Sequence, residues 1–249
     1  MPVPIPFAPD VLAIVAAGLL LAGIIKGATG LGYATCALPF LVYAVGLKDA
    51  IALVLMPAMA TNAAVAINNG YLRETLRRFA PLYLAMLPGI ASGALMLMWV
   101  DADIPMKLLG ASIVAYAGFA LLRPSLLLPP RLIGVLQVPV GFSNGVLTGL
   151  TGSQVMPLVP YVMAASLDPP HAVQAINLGV MLASTVLLAG LATAGVITPA
   201  MLALSSLAIA PALLGVEIGR RIGTGVSEQT FRSLVLFVLL IAGVGLLAR

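Results

Sequence analysis

The sequence predicts an all-α polytopic membrane protein made of two inverted five-segment repeats, and three observations predict it. The first is composition: of 249 residues, 61% are hydrophobic and 8% charged, whereas a soluble domain carries about a quarter charged residues. Twelve Lys or Arg and eight Asp or Glu cannot cover a water-soluble chain of this size. The solvent is therefore a bilayer, and the expected location is a cell inner membrane or plasma membrane, crossed many times. The second observation is the pattern of apolar runs, and the third is an internal echo between the two halves of the chain.

The apolar runs cover 11–27, 34–45, 50–69, 79–98, 104–122, 132–150, 155–166, 172–192, 198–218 and 230–248. Eight are long enough to span. Two, 34–45 and 155–166, hold 12 residues each, against roughly 20 for a helical crossing, so they are expected to be broken or re-entrant segments. Both follow a Gly/Thr-rich stretch and contain Pro, in Leu38 to Phe40 and in Met156 to Tyr161. The opening MPVPIPFAPD has no Lys or Arg and no small-residue cleavage site, so the first run is expected to remain as a membrane helix. An extracytoplasmic N-terminus puts Lys26, Arg73, Arg77, Arg78, Arg123, Arg131, Arg220, Arg221 and Arg232 on the cytoplasmic side. Lys48, Lys107 and Arg249 are then left outside. Nine against three favours that orientation, and Trp99 then anchors the outer interface.

Residues 23–30 read GIIKGATG and residues 145–152 read GVLTGLTG. Gly23, Gly27, Thr29 and Gly30 thus match Gly145, Gly149, Thr151 and Gly152 at a constant offset of 122. Pro39 corresponds to Pro160 with one residue of slippage, Asp49-Ala50 to His171-Ala172, and Pro88 to Pro211. The expected boundary makes 1–125 and 126–249 the two membrane repeats. Five segments per half is an odd number, so the second copy enters the membrane from the opposite side. Inverted repeats with discontinuous segments are the signature of a secondary transporter with a midplane site.

The paired motifs GIIKGATGLGYATCALPF (Gly23 to Phe40) and GVLTGLTGSQVMPLVPY (Gly145 to Tyr161) are each followed by a helix beginning near an Ala, Ala50 or Ala172. Together they resemble the two halves of the sulfite exporter TauE/SafE family of membrane permeases, over essentially the whole chain. The resemblance implies a small secondary transporter of two related bundles. It would move anions such as sulfite, sulfate or organosulfonates, coupled to the membrane potential or a proton gradient. Tyr33-Ala34 after Gly32 and Ser153-Gln154 after Gly152 depart from the glycine-richer patterns common in that family, so the resemblance does not fix the anion.

The first motif offers Thr29 and Tyr33 among Gly30 and Gly32, where an interrupted helix exposes amides whose dipole favours an anion. Gly23 and Gly27 read instead as a GxxxG packing face, like Gly89 and Gly93, Gly141 and Gly145, and Gly215 and Gly219. The second motif offers Thr148, Thr151, Gly152, Ser153 and Gln154, polar groups that need partners within an apolar run. Asn62, Asn144, Gln174 and Asn177 are amides in hydrocarbon and must face inward, either to substrate or to another helix. Thr29, Gly30, Gly32, Tyr33, Asn62, Thr151, Gly152, Ser153, Gln154 and Asn177 are therefore the candidate substrate-binding residues. Lys26 has two readings: its stem snorkels into headgroups, or its charge attracts anions at the cytoplasmic entrance.

A lone His171, a lone Cys36 and end-of-helix carboxylates give no metal site, disulfide or cofactor site. The net charge of +4 comes from short loops and speaks to orientation, not to nucleic acid. Expected partners are a small anion and the bilayer, with proton or membrane-potential coupling; the sequence leaves the oligomeric state open. An anion-selective channel is the main rival, since a polar path would look alike in sequence. An intramembrane enzyme is disfavoured by the absence of GxSG and HExxH motifs. The expected mechanism is alternating access, one half rocking against the other around Thr29, Thr151 and Gln154.

Overall fold

The computed structural model describes residues 7–30, 32–68, 70–122, 127–165, 167–222 and 228–248. Arg123 and Arg249, counted in the charge bias above, and the first six residues lie outside them. In chain order the helices are α1 (Pro9–Thr29), α2 (Tyr33–Val45), α3 (Leu47–Asn68), α4 (Leu72–Arg78), α5 (Ala80–Trp99) and α6 (Asp103–Leu122). There follow α7 (Pro130–Thr151), α8 (Leu158–Ala164), α9 (Pro169–Thr193), α10 (Pro199–Leu207), α11 (Ile209–Ile222) and α12 (Glu228–Leu247). Eight spans are long and apolar enough to cross a membrane, with α10 and α11 together forming one of them.

The two short runs become α2, 13 residues long, and α8, seven residues long after a non-helical stretch at 152–157. Pro57, Pro88 and Pro139 sit inside α3, α5 and α7 without ending them. The run at 198–218 instead divides at Ala208. Pro211 lacks the N–H that would bond the Leu207 carbonyl, and regular bonding resumes with Ala212 N to Ala208 O at 3.3 Å. The charged stretch after Gly70, read only as a break between runs, folds as α4, with Arg73, Glu74, Arg77 and Arg78 on one short helix.

Packing follows the glycines. Gly23 and Gly27 on α1 lie against Ala212, Gly215, Val216 and Arg220 on α11, with backbone touching backbone. Gly89 and Gly93 on α5 meet Gly145, Val146 and Gly149 on α7 in the same way. In both pairs the residue numbers rise together along the contact, so the helices run parallel. Lipid tails are as apolar as the helices, so close approach at small residues supplies the attraction that hydrophobic burial supplies in water. Two further pairs run antiparallel. Gly110 on α6 faces Gly243, Leu246 and Leu247 on α12, while Gly243 faces Ile113 and Val114; the end of α3 meets the start of α9, where Gln174 Nε2 donates to the Ala66 carbonyl at 2.8 Å.

The two ends of the bundle differ in character. At one, His171 at the start of α9 stacks on Tyr71 with ring centroids 4.0 Å apart. Its nitrogens lie 2.6 Å from the Asp168 carboxylate and 3.4 Å from that of Glu74, beside the arginines of α4. At the other, Val45 to Asp49 with Leu97, Val100 and Ala102 line an open cavity of about 450 Å³, next to an exposed Trp99.

Two outcomes test this arrangement. Gly27→Leu drives a side chain into the α11 backbone and should cost about 3 kcal/mol or more of stability, whereas Gly118→Ala, with open space at that position, should change it by less than ~1 kcal/mol. Thermal unfolding in detergent reads both, and equal melting temperatures would refute the seam. In a Cys36→Ser background, an impermeant thiol reagent should label Arg77→Cys only from the cytoplasm and Trp99→Cys only from outside; the reverse pattern overturns the orientation.

Candidate functional site

Both helix breaks arise from the same local chemistry. α1 ends at Thr29 and α7 at Thr151, and in each case the next residue is a glycine in the left-handed region, Gly30 at φ 68° and Gly152 at φ 72°. Each glycine N–H returns to the carbonyl four residues back, Lys26 O or Thr148 O, at 2.8 Å. A side chain at either position would be strained, so glycine is what lets the helix stop there with its carbonyl satisfied. The preceding threonines match as well: Thr29 Oγ1 donates to Ile25 O at 2.7 Å and Thr151 Oγ1 to Leu147 O at 2.6 Å.

After the first break, α2 begins at Tyr33 with Gly32 as its N-cap and no side chain capping it. Its first helical bond runs from Cys36 N to Gly32 O at 3.3 Å, so the amides of Tyr33, Ala34 and Thr35 precede any intrahelical partner and form the positive end of the helix dipole. Gly32 abuts the second break. A Cβ there would stand 3.0 Å from Val155 Cγ1. The Tyr33 side chain is fully buried, and its hydroxyl donates to Leu19 O at 3.2 Å, fastening α2 to α1.

The second break is held by side chains of α7. Asn144 Nδ2 donates to Gln154 O at 3.2 Å and to Met156 O at 2.9 Å, and Thr148 Oγ1 donates to Ser153 O at 3.2 Å. Ser153 N donates to Thr151 Oγ1 at 3.1 Å, and Gln154 Nε2 reaches across to Ser184 Oγ on α9 at 2.8 Å. Gly152 packs on Ile51 of α3. Ser153 Oγ, Gln154 Oε1 and Asn144 Oδ1 are buried without a protein partner. An unmet buried polar atom costs about 1–3 kcal/mol, so three of them at and beside one break make it a candidate place for a polar ligand or water.

Lys26 does not reach the headgroups. Its side chain is 7% exposed, and Nζ donates to Asn62 Oδ1 on α3 at 2.6 Å and to Asn177 Oδ1 on α9 at 3.4 Å. Both amides are oriented for this, since Asn62 Nδ2 donates to Ala58 O at 2.6 Å and Asn177 Nδ2 to Val173 O at 2.8 Å. The snorkelling reading fails because the face of α1 that carries Lys26 turns toward α3 and α9. Asn62 and Asn177, candidates 115 residues apart in sequence, are thus brought together on one ammonium.

Ser184, the partner of Gln154, escaped the sequence reading. The repeat offset of 122 carries Asn62 onto Ser184, and each is the buried acceptor for a polar side chain from its own half's broken region. Asn144→Leu removes two of the bonds that hold the second break and should lower stability by about 2 kcal/mol. A fall in melting temperature in detergent is the expected reading; an unchanged value would show that other contacts hold the break.

Residues 14–246 match the family model described as Sulfite exporter TauE/SafE. No curated protein matches the chain, and no solved structure matches it.

Proposed function

We propose that this chain, which belongs to the sulfite exporter TauE/SafE family, carries sulfite, sulfate or an organosulfonate by alternating access through a site where its two broken segments meet. Membership makes the protein a secondary transporter of small anions and not an enzyme, in keeping with its eight membrane-length helices. The contact between Gly32 and Val155 carries the finer reading, because it sets the uncapped start of α2 against the break that holds Ser153 and Gln154.

Each residue there has a chemical part. The α2 amides and the unengaged Ser153 hydroxyl donate to an oxyanion. Gln154 Nε2 keeps a second hydrogen beyond the one given to Ser184, and Thr29 and Thr151 can rotate from their own helix carbonyls onto a ligand. Gly30, Gly32 and Gly152 allow the backbone to come close. Tyr33 positions α2, while Asn62 and Asn177 line the site through Lys26.

Helix pairing supports two inverted repeats, 1–125 and 126–249. The first long helix of each half packs on the fourth span of the other: α1 on α11, and α7 on α5. The third elements pair with each other as α3 and α9, and the last as α6 and α12. A two-fold axis in the membrane plane makes such self-paired helices antiparallel, as they are, whereas an axis along the membrane normal would make them parallel. Close packing of Gly32 on Val155 and of Gly152 on Ile51 shuts the breaks, which favours a carrier over an open channel. No Asp or Glu is among the buried polar residues described, which favours coupling through the charge that the anion itself moves across the potential.

Purified protein in proteoliposomes should pass a saturable, selective current for one member of a panel of sulfite, sulfate, thiosulfate, sulfoacetate and plain carboxylates, with and without a pH gradient. Thr151→Ala and Gln154→Ala should each lower flux about tenfold, one lost hydrogen bond's worth, while still inserting. Unchanged flux and affinity in both would remove these residues from the site, and silence across the panel from folded protein would reject the sulfur-oxyanion reading.

A further inference from the structure

Lys26 is the one Lys, Arg, Asp or Glu that is buried among the described residues. Its ammonium faces only the neutral carbonyl oxygens of Asn62 and Asn177. The ion pairs among the described residues involve His171, Arg220 and Arg221, and none reaches it. Lys26 stands one turn before the end of α1, where Gly30 returns its N–H to the Lys26 carbonyl at 2.8 Å, so the ammonium belongs to the same break as the uncapped start of α2. A buried positive charge without a carboxylate is an incomplete pair. Two amide oxygens solvate it, but neither cancels it, and in a low-dielectric interior that residual charge is costly.

We infer that Lys26 is the counter-ion of the transported anion and makes the site prefer singly charged over doubly charged oxyanions. The inference rests on the transport reading above and narrows it. One ammonium and one monoanion leave a neutral interior, whereas a dianion of the same size leaves an uncompensated negative charge, with only dipoles to meet it. Asn62 and Asn177 then have a further part: they hold the ammonium while the site is empty and yield it when the anion arrives. Sulfonates and the singly protonated form of sulfite are the favoured class, and sulfate the disfavoured one. For sulfite itself, flux should rise as pH falls and the monoanion replaces the dianion.

Methanesulfonate and sulfate separate charge from size, because both are compact, tetrahedral at sulfur and fixed in charge near neutral pH. With the purified full chain, calorimetric binding and proteoliposome flux should favour methanesulfonate by about tenfold or more, the difference of one uncompensated charge in a partly solvated site. Lys26→Gln should lose that preference along with about tenfold of the methanesulfonate affinity, and Lys26→Arg should retain the preference at reduced affinity. Asn62→Asp places a carboxylate where the ammonium already binds. It should abolish methanesulfonate binding while keeping the melting temperature at or above wild type, so it decides the matter even where Lys26→Gln fails to fold. Tight methanesulfonate binding by Lys26→Gln or Asn62→Asp would overturn the inference. So would wild-type protein that carries sulfate as well as methanesulfonate, a result that leaves anion transport standing. Wild-type protein that carries neither would instead defeat the transport reading beneath it.

Discussion

Within hydrocarbon every backbone N–H and C=O must find a partner inside the protein, and the rest of this structure is arranged around two places where the chain stops being helical despite that rule. α1 and α7 both end in a glycine that turns left-handed and returns its N–H to the helix. Beyond α7, Asn144 and Thr148 reach forward from the helix to satisfy three carbonyls of the non-helical stretch. Beyond α1, no side chain answers the first amides of α2. The two breaks are therefore unequal: one draws side-chain donors from its own helix, and the other presents uncapped amides.

That inequality gives the interior its polarity. The second half contributes buried acceptor oxygens, with Gln154 and Ser184 bonded to each other, and the first half contributes Lys26, the one buried cation among the described residues, with Asn62. Asn177 on α9 crosses to the cation, so the two halves share one polar core. Repeated sequence has thus produced similar backbone turns with different side-chain chemistry, as the pair Lys26 and Thr148 shows at a single matched position.

Much of this was legible in the sequence, for identifiable reasons. Run length alone marks eight spans, because twenty or so apolar residues have few other uses, and the Gly-Thr echo marks both breaks because a left-handed cap admits little but glycine. Helix α4 was not legible: seven residues with four charges have too few apolar positions to show a period. Pro211 and Pro88 look alike in sequence, yet α5 continues through Pro88 while the span around Pro211 divides, a difference that a proline by itself does not encode. The depth of Lys26 along its helix could be read, but not the side of the helix that faces Asn62. That direction is set by the Gly23 and Gly27 face docking on α11, a contact nearly two hundred residues away in the chain.

The glycine seams also determine what can move. Each seam joins a helix of one half to a helix of the other with backbone against backbone, leaving no layer of flexible side chains to slide upon. A motion of half against half would have to open both seams at once and expose carbonyl-lined grooves to lipid. The closely packed units are consequently hybrids, α1 with α11 and α5 with α7, each made of one helix from either half. On the alternating-access proposal, the motion that spares both seams is a tilt of one hybrid past the other, with the packed pair α3 and α9 between them. The natural place for such a frame to flex is the joint ahead of Pro211, where the Leu207 carbonyl loses its helical donor and one long span is already two rods.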